Sequence, residues 1–106
     1  PFVDRFTLNG VKYGFIPRIE DMTFGEYIDL EEALKDTKNL HKAAAVMYRP
    51  ITKEHKELYQ IESYKGGLES WEIMRDAPVG IISQAVVFFY LLENELTKVS
   101  QAYSAE

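Results

Sequence analysis

The sequence predicts an α+β fold, a single domain over residues 1–106 in which an N-terminal β-hairpin packs on a small bundle of three to four helices and a long apolar helix closes the chain. Three observations carry this expectation. Asn9-Gly10 lies at the centre of an alternating apolar stretch, the strongest short-range hairpin signal, because both turn residues must take positive φ. Thr23-Phe24-Gly25-Glu26 has the form of a capping box, which starts a helix. Ala77 to Leu92 is a run of sixteen residues without a charge, apolar on more than one helical face. A chain of 106 residues is one domain by length and can bury one modest core.

The elements follow in order. The hairpin occupies residues 5–17, with Leu8 paired to Val11 and Phe6 to Tyr13, large side chains on one face and Thr7 and Lys12 on the other. A lone hairpin is marginal in water, so its apolar face requires a helix against it. The capping box starts a helix over about 24–34, with Tyr27, Leu30, Leu34 and Phe24 as its buried stripe. Its acids, Glu26, Asp29, Glu31 and Glu32, crowd the first turns, where the helix dipole favours them, and are read as a solvated face. Asp36-Thr37 caps a second helix over about 38–48, which Arg49-Pro50 closes, since a residue before proline is pushed out of the helical region. Arg49 is placed to cap that helix end or to reach an acid across the fold.

Residues 51–67 are ambiguous. Thr52 to Tyr59 is compatible with a short helix, and Tyr59 to Tyr64 with a third strand beside the hairpin. A short helix over about 68–75 buries Trp71 and Met74. Asp76 caps the last helix, about 78–101, with Pro78 in its first turn. On that helix Ile81, Ala85, Phe88, Leu92, Glu95/Leu96, Val99 and Tyr103 form one stripe, and Ile82, Val86 and Phe89 a neighbouring one. Val87 and Leu91 carry apolar surface further round, and residues from Ser100 onward are expected to fray.

Composition narrows the partners. The chain is 46% hydrophobic and 27% charged, ordinary values for a folded protein. Its net charge of −5 argues against non-specific nucleic-acid binding, which needs a basic footprint. Aromatic residues make 13% of the chain, and tyrosine outnumbers phenylalanine, which fits either a small core of large rings or a half-wet interaction surface. The absence of cysteine excludes disulfides and thiolate metal sites and fits a reducing compartment. Residues 1–10 lack the apolar run of a secretion signal, and Pro1 is compatible with a mature start after removal of an initiator Met. Sixteen uncharged residues that include Pro, Gly, Ser and Gln fall short of the roughly twenty apolar ones that a membrane span needs, so no membrane partner is expected.

No reaction is legible. His41 and His55 stand fourteen residues apart in different expected elements and form no HExxH or HxxxH pair. The serines lack a GxSxG setting, and Gly66-Gly67 lacks the Gly-Lys-Ser/Thr of a phosphate loop. The expectation is therefore no catalytic residue, no cofactor and no metal.

Three stretches in this order, Phe6-Thr7-Leu8-Asn9-Gly10-Val11-Lys12-Tyr13, Met22 to Leu30 and His41 to Ile51, followed by the Phe88-Phe89 helix, resemble small proteins encoded among the structural genes of tailed bacteriophages. The resemblance implies a tail assembly chaperone or minor virion protein that acts through protein–protein contacts, in the host cytoplasm or the assembled virion. It transfers no active-site residue. The expected interface residues are Val86, Val87, Phe88, Phe89, Tyr90 and Leu91, and the partners are other virion or assembly proteins or a further copy of the chain. The alternative is a small acidic regulator or inhibitor that binds a host protein through the face around Asp29 to Glu32.

Overall fold

The computed structural model describes residues 2–104. Four antiparallel strands form a meander in the order β1-β2-β3-β4, and four α-helices accompany it. The strands are β1 (Arg5–Leu8), β2 (Val11–Phe15), β3 (Tyr48–His55) and β4 (Leu58–Ile61). The helices are α1 (Phe24–Ala33), α2 (Leu40–Met47), α3 (Leu68–Ile73) and α4 (Val79–Ser104). The α+β class and the long apolar C-terminal helix stand as the sequence indicates. Residues 105 and 106, the end of the segment expected to fray, lie outside the described residues, as do the side chains of Val99 and Tyr103.

The first hairpin has the expected register, Leu8 opposite Val11 and Phe6 opposite Tyr13. Asn9 and Gly10 take φ of 52° and 80°, the doubly left-handed turn that matches strand twist. Phe6 stacks on Tyr13 at 5.5 Å between ring centroids. The capping box of α1 is complete: the Thr23 hydroxyl accepts from the Glu26 N–H at 3.1 Å, and the Glu26 carboxylate accepts from the Thr23 N–H at 3.4 Å.

Residues 51–67 contain no helix. The third strand of the sheet is β3, which follows α2 without a loop and pairs with β2 through Tyr13–Pro50, Gly14–Arg49 and Phe15–Tyr48. It turns into β4 through Lys56-Glu57, with an irregularity between Ile51 and Lys53. The expected strand over 59–64 is thus the fourth, shorter strand 58–61, at the far edge from the first hairpin. The turn was hidden because Lys56 adopts φ of 55° where glycine is the usual residue. Its carbonyl accepts from the Arg5 guanidinium at 2.8 Å, and Glu54 accepts from Arg5 and Lys12 at 2.7 and 2.8 Å, so charges from β1 and β2 hold the second hairpin against the first.

The core lies between the inner face of the sheet and the helices. Leu30, Ala43, Ala44, Met47 and Tyr48 are essentially inaccessible. The three alanines of α2 let α1 and α4 pack closely on either side. Phe15 meets Tyr48 at 5.2 Å and Phe88 at 4.9 Å, and Tyr27 stacks on Phe89 at 5.9 Å, so α4 is bonded by rings to both the sheet and α1. Much of the aromatic excess is therefore core.

Three local expectations are corrected. Phe24, placed on the buried stripe of α1, is 76% exposed; Ala33 takes its place beside Leu30. Asp76 does not cap α4: it ends a single 3-10 turn at Met74–Asp76, and the Pro78 carbonyl accepts from the Ile81 and Ile82 N–H groups instead. Glu26 belongs to no solvated acidic face. Its carboxylate is buried and paired with the buried Arg49 guanidinium at 3.2 Å.

Candidate interaction surface

Helix α4 runs uncharged from its start to Leu92, and its faces have different fates. Ile81, Ala85 and Phe89, at spacing four, are buried against the core. Ile82 and Phe88 flank them and are half-buried. The opposite side carries Gly80, Ser83, Val87, Tyr90, Leu91 and Asn94, all exposed. Among these Val87, Tyr90 and Leu91 are 58%, 60% and 59% exposed, a contiguous apolar strip on two turns of helix.

The six expected interface residues therefore separate by geometry. Val87, Tyr90 and Leu91 face outward. Val86 and Phe88 are half-buried, and Phe88 meets Phe15 edge-on inside the fold. Phe89 is a core residue, 4% exposed, and leaves the set of interface candidates. The expected stripes placed Phe88 on the main stripe and Phe89 beside it. The true inner line runs through Phe89, a rotation of one residue about the helix axis.

Phe2 joins the surface, and no periodicity could have revealed it. The N-terminal segment crosses α4 and is tied there by Gln84. The Gln84 side-chain carbonyl accepts from the Val3 N–H at 2.7 Å, and its amide donates to the Val3 carbonyl at 3.0 Å and to the Tyr48 hydroxyl. The Tyr48 hydroxyl donates to the same Val3 carbonyl at 2.8 Å. Burial pushes the Tyr48 phenol up to about 12, an effect that the Gln84 amide opposes, so the hydroxyl remains a donor at neutral pH. Phe2 is held with its ring edge-on to Phe15 at 4.9 Å, yet is 58% exposed. Between Phe2 and the helix lies a shallow groove of about 360 Å³, lined by Phe2, Ser83, Gln84, Val87, Phe88 and Leu91.

Another groove, of about 270 Å³, lies between α2, α3 and the segment after β4, with Tyr13, Arg49, Tyr64, Lys65 and Ser70 on its walls. Three of its polar side chains, Arg49, Tyr64 and Ser70, are engaged with the fold. Arg49 donates from Nε to the Val46 carbonyl at 3.1 Å, from NH1 to the Glu62 carbonyl at 3.3 Å and from NH2 to Glu26. It thus fulfils both expected roles, helix-end cap and cross-fold ion pair. The Tyr64 hydroxyl donates to Asp29 at 3.0 Å and accepts from the Trp71 indole at 3.2 Å. His41 sits half-buried on α2, and burial lowers its imidazole below the ordinary value; His55 is exposed at the end of β3. Among the described residues no three His, Asp or Glu side chains converge in a way that would hold a metal ion.

Val79–Lys98 is long and apolar enough to cross a membrane by length and composition, because the apolar stretch tolerates the charges beyond Leu92 that the uncharged run excluded. Ile81, Ala85 and Phe89, the stripe committed to the core, make 17% of the apolar window. Neither a protein-family model, nor a curated protein, nor a solved structure matches the chain.

Proposed function

We propose that this chain is a non-catalytic protein that acts through protein–protein contacts at the outer face of α4. The observation that carries the reading is the strip Val87, Tyr90 and Leu91, with Phe2 beside it: large apolar groups held exposed on a helix whose inner stripe is anchored in the core. Apolar groups in such a rigid, partly grooved setting are the usual centres of interface energy, and their neighbours on α4 are uncharged. The setting in virion or tail assembly rests on the resemblance of the sequence segments to small structural-gene proteins of tailed phages. The acidic-regulator reading is weakened, because Glu26 and Asp29 are committed to Arg49 and Tyr64.

The test is the exchange Val87→Glu in the full chain. The side chain is mostly exposed, so the fold, followed by circular dichroism, is retained while association is lost. Affinity capture from producing cells with the wild-type chain and the variant, each followed by light scattering of the purified protein, reads this directly. A wild-type chain that is monomeric and captures nothing beyond what Val87→Glu captures sinks the proposal.

A further inference from the structure

We propose that the groove between α2, α3 and the segment after β4 is a binding site for a small monocationic amine, an ammonium group on an apolar body the size of one ring. The site is separate from the contact surface, since no residue of α4 lines this groove. The inference starts from one hydroxyl. Tyr13 on β2 is 6% exposed, with its ring stacked on Phe6. Tyr48, Tyr59 and Tyr64 each donate their hydroxyl to an acceptor within the fold. The Tyr13 hydroxyl has no such partner among the described residues, yet no buried side-chain oxygen or nitrogen there is both unpartnered and sealed from solvent. It therefore opens into the groove that Tyr13 lines. A polar atom on a largely buried side chain is costly to leave unpaired, and a ligand atom in the groove can complete it.

Size and charge narrow the ligand. The volume of about 270 Å³ lies just below the roughly 300–1,000 Å³ of sites for drug-sized molecules, which suits one ring with a short chain. Ala45, Ile73 and Met74 supply apolar wall for that ring. Arg49 offers no charge to a ligand, because its three nitrogens donate within the fold and Glu26 neutralises it. The remaining charged residues of the lining are Glu62, Lys65 and Glu69. All three are exposed, and none forms an ion pair among the described residues. Two carboxylates against one ammonium leave one negative charge in excess, which favours a cation and disfavours a phosphate or carboxylate. Burial raises the Tyr13 phenol above its ordinary value and the Glu62 charge adds to this, so the two groups share one end of the groove. A ligand ammonium between them donates to the phenol oxygen and to the Glu62 carboxylate.

The test is titration of the full chain with phenethylamine, followed by amide NMR shifts. Binding is expected with a Kd on the order of 1 mM, ordinary for a ligand of this size, with shifts centred on Ser63 to Gly66 and on Ile73 and Met74. Tyr13→Phe keeps the ring that stacks on Phe6 and is expected to raise the Kd about two- to tenfold, the effect of one hydrogen bond. Glu62→Gln, at an exposed position, is expected to raise it about two- to fivefold. Glu57→Gln, an exposed acid at the turn of the second hairpin, should leave it unchanged. Phenylacetate, which carries the same ring with the opposite charge, is expected not to bind at these concentrations.

Absence of shifts up to about tenfold above that concentration overturns the inference. So do shifts centred on the outer face of α4, phenylacetate binding as tightly as phenethylamine, or a folded Tyr13→Phe with an unchanged Kd. None of these outcomes touches the capture experiment with Val87→Glu, so the contact function stands or falls separately.

Discussion

The pair Glu26–Arg49 is where single residues matter most. Both side chains are nine-tenths buried, and each serves two elements: Glu26 caps α1 and Arg49 caps α2. Replacing one partner leaves the other as an uncompensated buried charge, at a cost of about 3–5 kcal/mol. Arg49→Met is expected to destabilise by that amount in urea denaturation, whereas exposed pairs such as Arg75–Glu72 should contribute under about 1 kcal/mol. Tyr48 gives a pH signature. Its phenol is raised from 10.0 to about 12, so the folded state holds the proton to higher pH than the unfolded chain. The contribution is therefore complete below pH 10 and is lost as pH rises from 10 to about 12, an effect on the order of 2–3 kcal/mol. Tyr48→Phe should remove its share of that alkaline limb in stability-versus-pH curves, leave the share of Tyr64, which is also raised to about 12, and lose the hydrogen bond to Val3.

At the scale of the element, α4 carries two faces with different tasks, and substitutions should separate them. Phe89→Ala removes a buried ring stacked on Tyr27 and is expected to cost about 3–5 kcal/mol. Val87→Ala, on the exposed side, should change protomer stability by no more than about 0.5 kcal/mol, measured at concentrations where the chain is monomeric. The elements differ in how legible they were. The first hairpin and α1 announce themselves through Asn9-Gly10 and the Thr23–Glu26 box, because a turn of that type and a capped helix end demand particular residues within four positions. The second hairpin carries no such signal. Lys56 at positive φ is tolerated because its carbonyl is held by Arg5, 51 positions away, and the strand behind it is paired with β2, also distant in sequence. Arg49 illustrates the same limit: its position after α2 indicates a cap, but the choice of Glu26 as its acid depends on how α1 packs. Within α4, periodicity identified an excess of apolar surface and could not phase it, since Phe88 and Phe89 are chemically alike.

For the molecule as a whole, the meander and helices share one core, joined through α2 and α4. The single Trp71 reports on the corner made by α2, α3 and the segment after β4, where it donates to Tyr64 and lies under the Lys42 ammonium at 4.7 Å. Far-UV circular dichroism reports mainly the helices. If one core unites them, urea unfolding followed by Trp71 fluorescence and by circular dichroism will give coincident transitions, and separated midpoints would show that the corner unfolds by itself.

Local chemistry in the chain was sufficient for the α+β class, the first hairpin, the capped α1 and the apolar last helix, because turns, caps and periodicity are interactions between residues close in sequence. The second hairpin, the buried ion pair, the place of Phe2 and the division of α4 into a core face and an open face were settled only by tertiary structure. Each depends on which distant surfaces meet, and an apolar side chain has the same local pattern whether its own chain covers it or leaves it for another.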